Sequence, residues 1–321
     1  MLRVAPSPAA APPLTTPLVS YGGAHGWREL LLKDETRQRS GAFKYRGVWR
    51  RTGLLPAGTL LITASTGNHA SALAEAARAR GQHARIYVPA TTPGAKLQRI
   101  AAQGAETVLV DGGYDECEAL ARAEADSGCG VFVHSFDDSE TIAGHQSLFR
   151  EAAAQGGLPD IVFVPLGGGG LITAAIRQWG EAGVRIVGVE HRNAPAMRES
   201  LAAGRRILLD SATGLPEGLL VRRIGRIPFD ACRHRGQQVT AVDDDELHRA
   251  MALLWTRARI RAEGAGAAAF AAALRASGPG LRALAVVSGG NIDEPVWRRC
   301  LAAAGAGPTD APTGASWSEQ A

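Results

Sequence analysis

Short runs rich in β-branched and other apolar residues alternate along this chain with longer, Ala-rich segments. The short runs predict β-strands and the longer segments predict α-helices. Their regular alternation predicts an α/β fold, with a mostly parallel sheet covered by helices on both faces. The predicted strands are Glu29–Leu32, Thr59–Thr63, Ala84–Val88, Thr107–Val110, Ile161–Pro165, Arg185–Val189 and Leu284–Val287. The predicted helices are Gly67–Arg80, Pro93–Gln103, Tyr114–Ala125, Leu171–Trp179, Asp244–Ala258 and Gly264–Ala276.

The composition and charge indicate a soluble protein and argue against nucleic-acid binding. The 321 residues are 45% hydrophobic and 21% charged, which is ordinary for a soluble chain with one large domain or two modest ones. The formal net charge is +4, and only Lys33, Lys44 and Lys96 among the 35 basic residues are lysines. The arginines are scattered and form no basic face with interleaved aromatics, so we expect no nucleic-acid binding.

The spacing of the cysteines and the composition of the termini predict the cellular compartment of the protein. Four cysteines lie far apart without a CxxC pair, which predicts free thiols in a reducing cytoplasm rather than disulfides or zinc. Prolines occupy the N-terminal stretch where a signal peptide needs an apolar helix. No apolar run reaches the ~18 residues of a membrane span, so we expect no membrane partner. Residues 306–321, rich in small and polar side chains, are predicted to be a disordered tail.

Lys44 is the first candidate for chemistry. It follows a Ser-Gly-Ala-Phe turn and opens a helix, where the positive end of the helix dipole would lower the pKa of its amine. Pyridoxal phosphate requires such an amine, because its aldehyde forms an imine with one lysine. Lys33 is expected to form an ion pair with Asp34 or Glu35, and Lys96 to lie on a solvated helix face. A simply solvated Lys44 remains the alternative.

Three further motifs also lie where a predicted strand leads into a helix, which is where open α/β sheets bind ligands. In the Thr63–His69 turn, the N–H groups of Ser65, Thr66 and Gly67 suit a carboxylate. Asn68 could reach a phenolic oxygen, and a plain Ser/Thr helix cap is the alternative.

The Gly167–Gly170 loop has the wrong spacing for a dinucleotide site and lacks the Lys-Ser/Thr of a nucleoside-triphosphate loop. Consecutive glycine N–H groups can form a nest for a phosphate dianion. The fourth motif runs from Ser288 to Asn291. The Ser288 hydroxyl could reach a pyridine nitrogen, and Glu263 is the other candidate near that nitrogen.

These four motifs, in this order, resemble the fold-type II pyridoxal-phosphate enzymes, which include threonine and serine dehydratases and serine racemase. The resemblance runs from Thr16 to about Gly305. It implies two open, mostly parallel twisted sheets with helices on both faces, like the tryptophan synthase β fold. It also implies a large cofactor-binding domain formed by residues 1–48 and 143–305, a small mobile domain formed by residues 49–142, and a homodimer.

The resemblance implies a role for each motif residue. Lys44 would hold the cofactor and move the Cα proton, and Thr66 is a second candidate for acid–base work. The substrate carboxylate would be held by Ser65, Thr66, Gly67 and His69. The cofactor would be contacted by Phe43, Lys44, Asn68, Gly167, Gly168, Gly169, Gly170, Leu171, Gly218, Glu263 and Ser288.

The implied activity is β-elimination from a hydroxy amino acid such as L-threonine or L-serine, yielding a 2-oxo acid and ammonia. A neutral Ser288 hydroxyl at the ring nitrogen favours prompt loss of the β-hydroxyl. An amino-acid racemase, a β-replacement enzyme and a non-catalytic pyridoxal-phosphate-binding protein are the alternatives.

Departures from the family pattern bear on the substrate and on metal binding. Ala42 replaces a usual serine, and Gly144-His-Gln-Ser147 replaces Gly-Gln-Gly-Thr. Relatives bind a divalent metal with two carboxylates and a carbonyl. Glu190 and the carbonyl of Ala194 match that set, but Ala196 offers no carboxylate, so we expect no tight metal site.

Overall fold

The computed structural model describes residues 11–23 and 26–310. The strands are β1 (Leu18–Gly22), β2 (Glu29–Asp34), β3 (Leu60–Ala64), β4 (His83–Pro89), β5 (Glu106–Val110), β6 (Val131–Phe132), β7 (Ile161–Pro165), β8 (Arg185–His191), β9 (Gln238–Val242) and β10 (Arg282–Val287). The α-helices are α1 (Lys44–Thr52), α2 (Asn68–Ala79), α3 (Gly94–Ala102), α4 (Tyr114–Glu124), α5 (Ser139–Gly156), α6 (Gly170–Trp179), α7 (Ala196–Ala203), α8 (Arg226–Arg235), α9 (Asp244–Ala258), α10 (Gly264–Arg275) and α11 (Glu294–Ala303).

The strands form two sheets. The larger has the order β1-β2-β10-β7-β8-β9 and is parallel except for the antiparallel pair β1 and β2. The smaller has the order β5-β4-β3-β6 and is parallel throughout. The predicted α/β class with two mostly parallel sheets is therefore confirmed. The division of the chain into two domains remains a prediction.

The larger sheet is buried on both faces, which explains the near-continuous apolar runs of its central strands. Alternate residues of one strand enter opposite cores. Ile161 and Phe163 pack against α9 and α10, whereas Val162 and Val164 pack against α5 and α6. Two apolar layers therefore hold the strands in register and fix the loops at their carboxyl ends.

The lysine segment is held against the end of β10 by main-chain bonds. The Phe43 N–H donates to the Ser288 carbonyl at 3.0 Å, and the Gly290 N–H donates to the Gly41 carbonyl at 3.0 Å. Ala42 and Gly289 form an isolated antiparallel bridge. These contacts place the first residues of α1 beside the fourth sequence motif.

The predicted tail is described only in part. The indole N–H of Trp255 donates to the Pro308 carbonyl at 3.0 Å, and Ala306 packs against the core. The chain between residues 306 and 310 is therefore attached to the larger sheet's helices, and the rest of the predicted tail, 311–321, lies outside the described residues. None of the described helices is both long enough and apolar enough to cross a membrane.

Candidate active site

A cavity of about 1000 Å³ lies where the carboxyl ends of the two sheets meet. All four sequence motifs contribute to its wall, with loops that follow β3, β7 and β10. The predicted site residues that line it are Phe43, Lys44, Ser65, Thr66, Gly67, Asn68, His69, Gly167, Gly168, Gly169, Gly170, Leu171, Gly218, Glu263 and Ser288. The structure thus brings together segments that are more than 200 residues apart in sequence.

Lys44 presents an amine to this cavity without an anionic partner. Its Nζ donates to the carbonyl of Ser135 at 2.7 Å and lies 5.1 Å from the centre of the Phe43 ring. In the described part of the chain no carboxylate lies within ion-pair distance of it. The side chain keeps some exposed area, but desolvation of the amine lowers its pKa from 10.5 to about 8. Burial is the cause of this lowered pKa, and Lys44 also opens α1 as predicted.

The other two lysines have carboxylate partners that differ from the expected ones. Lys33 does not pair with Asp34 or Glu35: its Nζ lies 2.5 Å from Glu151, and it also donates to Gln155 and to the Thr16 carbonyl. Lys96 is not on a simple solvated face, because it lines the cavity mouth and pairs with Glu217. Lys44 is therefore the lysine whose amine is free for covalent chemistry.

The glycine loop forms an anion cup. Gly169 has φ +95°, a left-handed conformation that favours glycine, and α6 begins at Gly170 without a side-chain cap. Among the described residues, the N–H groups of residues 167–171 donate no hydrogen bond to protein. A Cβ on Gly168 would lie 2.2 Å from the Phe136 ring, so only glycine permits this close approach. Five free donors at a helix N-terminus are suited to a phosphate group.

Asn68 belongs to a hydrogen-bonded chain of polar side chains. Its Nδ2 donates to Glu263 Oε1 at 2.6 Å, and its Oδ1 accepts from Asn291 Nδ2 at 2.7 Å. Asn291 also donates to the Ser40 carbonyl. Burial raises the pKa of Glu263 to about 7, although the hydrogen bond from Asn68 opposes the rise. These hydrogen bonds fix the orientation of the Asn68 amide between Asn291 and Glu263.

The turn after β3 exposes main-chain donors at the start of α2. Ser65 Oγ accepts from the Gly67 N–H at 3.3 Å, and α2 has no side-chain cap at Gly67. Thr66 is half-buried on the cavity wall. His69 is buried, and its Nε2 lies 3.0 Å from the Val133 carbonyl. Of the three N–H groups predicted to bind a carboxylate, that of Ser65 donates to the Tyr87 carbonyl at 3.3 Å and that of Gly67 to Ser65 Oγ, so the Thr66 N–H is the one left unpaired among the described residues.

The remaining predicted residues lie around these groups. Ser288 is 5% exposed, and its Oγ lies 3.5 Å from the Ala265 carbonyl, a weak contact that leaves the hydroxyl available. The Gly218 carbonyl would lie 2.6 Å from a Cβ on Gly167, so the two segments touch. Leu171 contributes its N–H to the glycine loop, while its side chain is buried in the core.

A family model described as pyridoxal-phosphate dependent enzyme matches residues 12–289. This chain belongs to the pyridoxal-phosphate dependent enzymes. An L-threonine ammonia-lyase of Thermotoga maritima is 35% identical over 275 residues, which cover 83% of this chain and 68% of that protein. The family resemblance inferred from the four motifs is confirmed.

Solved structures agree with this assignment. The processed threonine deaminase isoform 2 of Solanum lycopersicum is 27% identical, covers 91% of this chain and 89% of its own, and superposes with a TM-score of 0.83. Maize serine racemase is 28% identical, covers 90% of this chain and 92% of its own, and has a TM-score of 0.81. Both likenesses extend over nearly the whole chain, so this pyridoxal-phosphate enzyme has the fold-type II architecture.

The residues of this site fit pyridoxal phosphate. The cofactor has an aldehyde, a phosphate dianion and a pyridine ring, and the cavity offers a half-buried amine, a cup of unpaired N–H groups and the Ser288 hydroxyl. The cavity volume of about 1000 Å³ accommodates such a ligand together with an amino acid. The predicted cofactor is confirmed by the family match.

The sequence motifs assigned no role to several residues that lie on or near the cavity wall of this enzyme. The Ser135 carbonyl contacts Lys44, and the Phe136 ring packs on the glycine loop. His145 and Asn291 also lie beside predicted residues. Ser135 and Phe136 follow β6, a strand of only two residues that gives no periodic signal.

Glu190 serves a local structural purpose in this enzyme. Its carboxylate accepts from the Met197 N–H at 2.6 Å and from the Arg198 N–H at 3.1 Å, which caps α7. Burial raises its pKa to about 7. No group of three His, Cys, Asp or Glu side chains suited to a metal ion occurs in residues 11–23 and 26–310. The absence of a tight metal site remains a prediction.

Proposed function

We propose that this enzyme is a threonine/serine ammonia-lyase, which removes water and ammonia from a hydroxy amino acid to give a 2-oxo acid. The observation that carries the proposal is that the Lys44 amine, whose partner is a carbonyl and not a carboxylate, lines the same cavity as the anion cup of the glycine loop. The Thermotoga maritima relative and the Solanum lycopersicum structure, a threonine ammonia-lyase and a threonine deaminase, support the same reaction.

Bound pyridoxal phosphate supplies an electron sink for the charge left on Cα when its proton is removed. We assign the binding of its phosphate to the N–H groups of Gly167, Gly168, Gly169, Gly170 and Leu171. Asn68 would orient the phenolic oxygen, with Glu263 behind it. Phe43 and Gly218 would flank the ring, and Ser288 would donate its hydroxyl to the ring nitrogen. A neutral hydroxyl there, unlike a carboxylate, does not keep that nitrogen protonated.

The substrate would be bound by the turn after β3. The unpaired Thr66 N–H stands at the N-terminus of α2, where the helix dipole favours a carboxylate, and the longer bonds of the Ser65 and Gly67 N–H groups, both 3.3 Å, would have to be exchanged for the substrate. His69 completes this side of the cavity. Neutral Lys44 is then placed to take the Cα proton, and its low pKa means that a useful fraction of the amine is neutral near pH 7.

The test is a screen of purified enzyme with L-threonine, L-serine and 3-hydroxyaspartate, with release of 2-oxo acid as the readout. We expect 2-oxobutanoate from L-threonine and loss of a cofactor absorbance band in Lys44→Ala. Retention of the band with no 2-oxo acid from any of the three substrates would reject the lyase and favour a non-catalytic binding protein.

An amino-acid racemase is the second candidate, because Thr66 lies on the cavity wall and maize serine racemase shares the fold. A racemase needs an acid on the face of Cα opposite the base. Chiral analysis of recovered serine separates the two functions, and trapping with an added thiol detects β-replacement. Inversion faster than 2-oxo acid release would make racemisation the principal activity.

We also propose that residues 49–142 move as a small domain against residues 1–48 and 143–305. Charged pairs join the two parts across the cavity mouth, where closure would exclude water. These pairs are Lys96–Glu217, Arg99–Asp293 and Asp115–Arg222. Hydrogen exchange with and without substrate tests the motion, and equal protection of residues 49–142 in both states contradicts it.

We also propose that this enzyme is cytoplasmic and forms a homodimer. Three of the free cysteines are buried thiols, which suits a reducing compartment. The family resemblance supports a dimer. Light scattering of the purified enzyme and cell fractionation test these two points, and a monomeric mass or an extracellular location contradicts them.

A further inference from the structure

Three side chains on the cavity wall, those of Asn291, Asn68 and Glu263, form a hydrogen-bonded series that we call the amide chain. Asn291 Nδ2 donates to the Ser40 carbonyl and to Asn68 Oδ1, at 2.7 Å in each case, so both of its amide hydrogens are used. Asn68 Nδ2 then donates to Glu263 Oε1 at 2.6 Å. The amide chain is therefore anchored at one end by a main-chain carbonyl, which can only accept, and at the other by a carboxylate.

These two ends decide which way round the Asn68 amide lies. The oxygen and the nitrogen of an amide have nearly the same shape, so their hydrogen-bond partners distinguish the two orientations. If the amide were turned over, its Nδ2 would face Asn291 Nδ2, which can only donate. Its Oδ1 would face the Glu263 carboxylate, which only accepts when it is ionised. Both hydrogen bonds would be lost together, so one orientation is strongly favoured.

One amide hydrogen of Asn68 remains for a ligand. Asn68 Nδ2 carries two hydrogens, and Glu263 is the one acceptor that it contacts in residues 11–23 and 26–310. Because Asn68 lines the cavity, the second hydrogen is available to a molecule bound there. A turned amide would offer its oxygen instead, which repels an anionic oxygen. The amide chain therefore determines that Asn68 offers the cavity a donor.

The backbone leaves room for the amide chain at two glycines. A Cβ on Gly289 would lie 2.6 Å from Glu263 Oε1 and 3.3 Å from Asn68 Nδ2. A Cβ on Gly41, which has φ +70°, would lie 2.5 Å from Asn291 Oδ1. The amide chain also joins the two sheets, because Asn68 begins α2 whereas Glu263 precedes α10 and Asn291 follows β10. The surrounding loops are thus shaped to fit this arrangement.

We propose that Glu263 and Asn291 are positioning residues, which align the Asn68 amide so that its N–H stabilises the phenolic oxygen of the cofactor as an anion. The proposal rests on the proposed function, in which Asn68 contacts that oxygen. Glu263 then acts through Asn68 and not at the ring nitrogen, which was its other candidate position. A hydrogen bond donated to the charged form of a group favours that form, so loss of the alignment should favour the neutral phenol.

The first experiment records the absorbance spectrum of the cofactor-loaded enzyme, which reports the ratio of the anionic to the neutral phenolic oxygen. Both Glu263→Gln and Glu263→Leu remove the charge, but only glutamine keeps an acceptor for Asn68. The ratio should therefore be about fivefold lower in Glu263→Leu than in Glu263→Gln, the effect of one hydrogen bond. The same two substitutions at Glu217, a cavity carboxylate that pairs with Lys96, are the matched control and should give equal ratios.

Asn291→Asp tests the other end of the amide chain. It keeps the size of the side chain but replaces the donor to Asn68 with an acceptor, so the turned orientation of the Asn68 amide becomes the favoured one. The ratio should fall at least as far as in Glu263→Leu. Urea unfolding shows that each variant is folded when its spectrum is recorded. An unchanged ratio in Asn291→Asp, or equal ratios in Glu263→Leu and Glu263→Gln, overturns the proposal.

Hydrogen exchange of the asparagine side chains tests the amide chain without a variant. The chain has three asparagines, so ¹⁵N-asparagine labelling gives three side-chain signals, and the exposed Asn193 is the internal reference. The NH₂ groups of Asn68 and Asn291 should exchange at least about fivefold more slowly than that of Asn193. Equal exchange of all three overturns the proposal. Neither measurement needs turnover, so an absence of 2-oxo acid release rejects the proposed function while the spectra and exchange rates still decide the role of Glu263.

Discussion

Lys33 and Lys44 lie in the same short segment, and both are removed from bulk water, but their surroundings are opposite. Lys33 is fully buried and donates to the Thr16 carbonyl, Glu151 and Gln155. Glu151 in turn joins Arg46, so the charge belongs to a compensated network. Lys44 has one carbonyl acceptor and no anion.

The difference shows how burial alone does not decide whether a lysine reacts. Desolvation lowers the pKa of both amines, but a carboxylate near Lys33 opposes that effect by favouring the ammonium. Around Lys44 nothing charged opposes it, and the pKa falls to about 8. A reactive amine therefore needs burial together with neutral neighbours.

Lys44→Met should have the largest effect, because it keeps a long unbranched side chain but removes the amine. We expect activity to fall by at least about 10⁴-fold, because the covalent attachment and the base are lost together. The unfolding free energy should change by less than about 1 kcal/mol, since no ion pair is broken. Rates of 2-oxo acid release and urea unfolding measure the two effects. Residual activity above about 1% would mean that another group is the base.

Lys33→Met should produce the reverse pattern. It leaves Arg46 as the cationic partner of Glu151 and removes three hydrogen bonds of a buried amine, so stability should fall by about 3 kcal/mol. The cofactor absorbance band of the folded fraction should persist. Urea unfolding and the absorbance spectrum provide the measurements. Loss of the band at full stability would make Lys33 the cofactor lysine and reverse the comparison.

The pH dependence of cofactor uptake tests the protonation of Lys44 in the unaltered chain. Only the neutral amine attacks the aldehyde, and the pKa of Lys44 is lowered from 10.5 to about 8. The rate of cofactor uptake by the cofactor-free chain should therefore rise about tenfold per pH unit up to pH 7 and level off above about 8. Stopped-flow absorbance follows the rate. A rise that continues to pH 10 would show that the amine is solvated.

Lys96→Met should give the smallest effect of the lysine series. Its partner Glu217 is largely exposed, so the pair contributes less than about 1 kcal/mol to stability. Because Lys96 lies at the cavity mouth, a small rise in KM with an unchanged cofactor spectrum is expected. Steady-state kinetics in low and high salt provide the measurement. A large loss of kcat would instead indicate that closure of the mouth limits turnover.

Much of the fold was predictable because the core imposes apolar runs on central strands. The predicted strand Ile161–Pro165 has the same bounds in the structure, and the predicted helix Asp244–Ala258 agrees with α9. The antiparallel strand β1 and the two-residue strand β6 were not predicted, because an edge strand and a very short strand carry little periodic signal. The Ser135 carbonyl on Lys44 was missed for the same reason.

The amino-acid sequence alone shows which residue types stand at the turns after β3, β7 and β10, and their order indicated the family and the cofactor. Turn chemistry is local: consecutive glycines permit positive φ and a close approach of the backbone to a ligand wherever they occur. The partner that each lysine contacts is known only from the folded structure. Glu151 lies 118 residues from Lys33, and Ser135 lies 91 residues from Lys44. Charge and desolvation depend on distance in space, so the protonation of these amines follows from the folded chain.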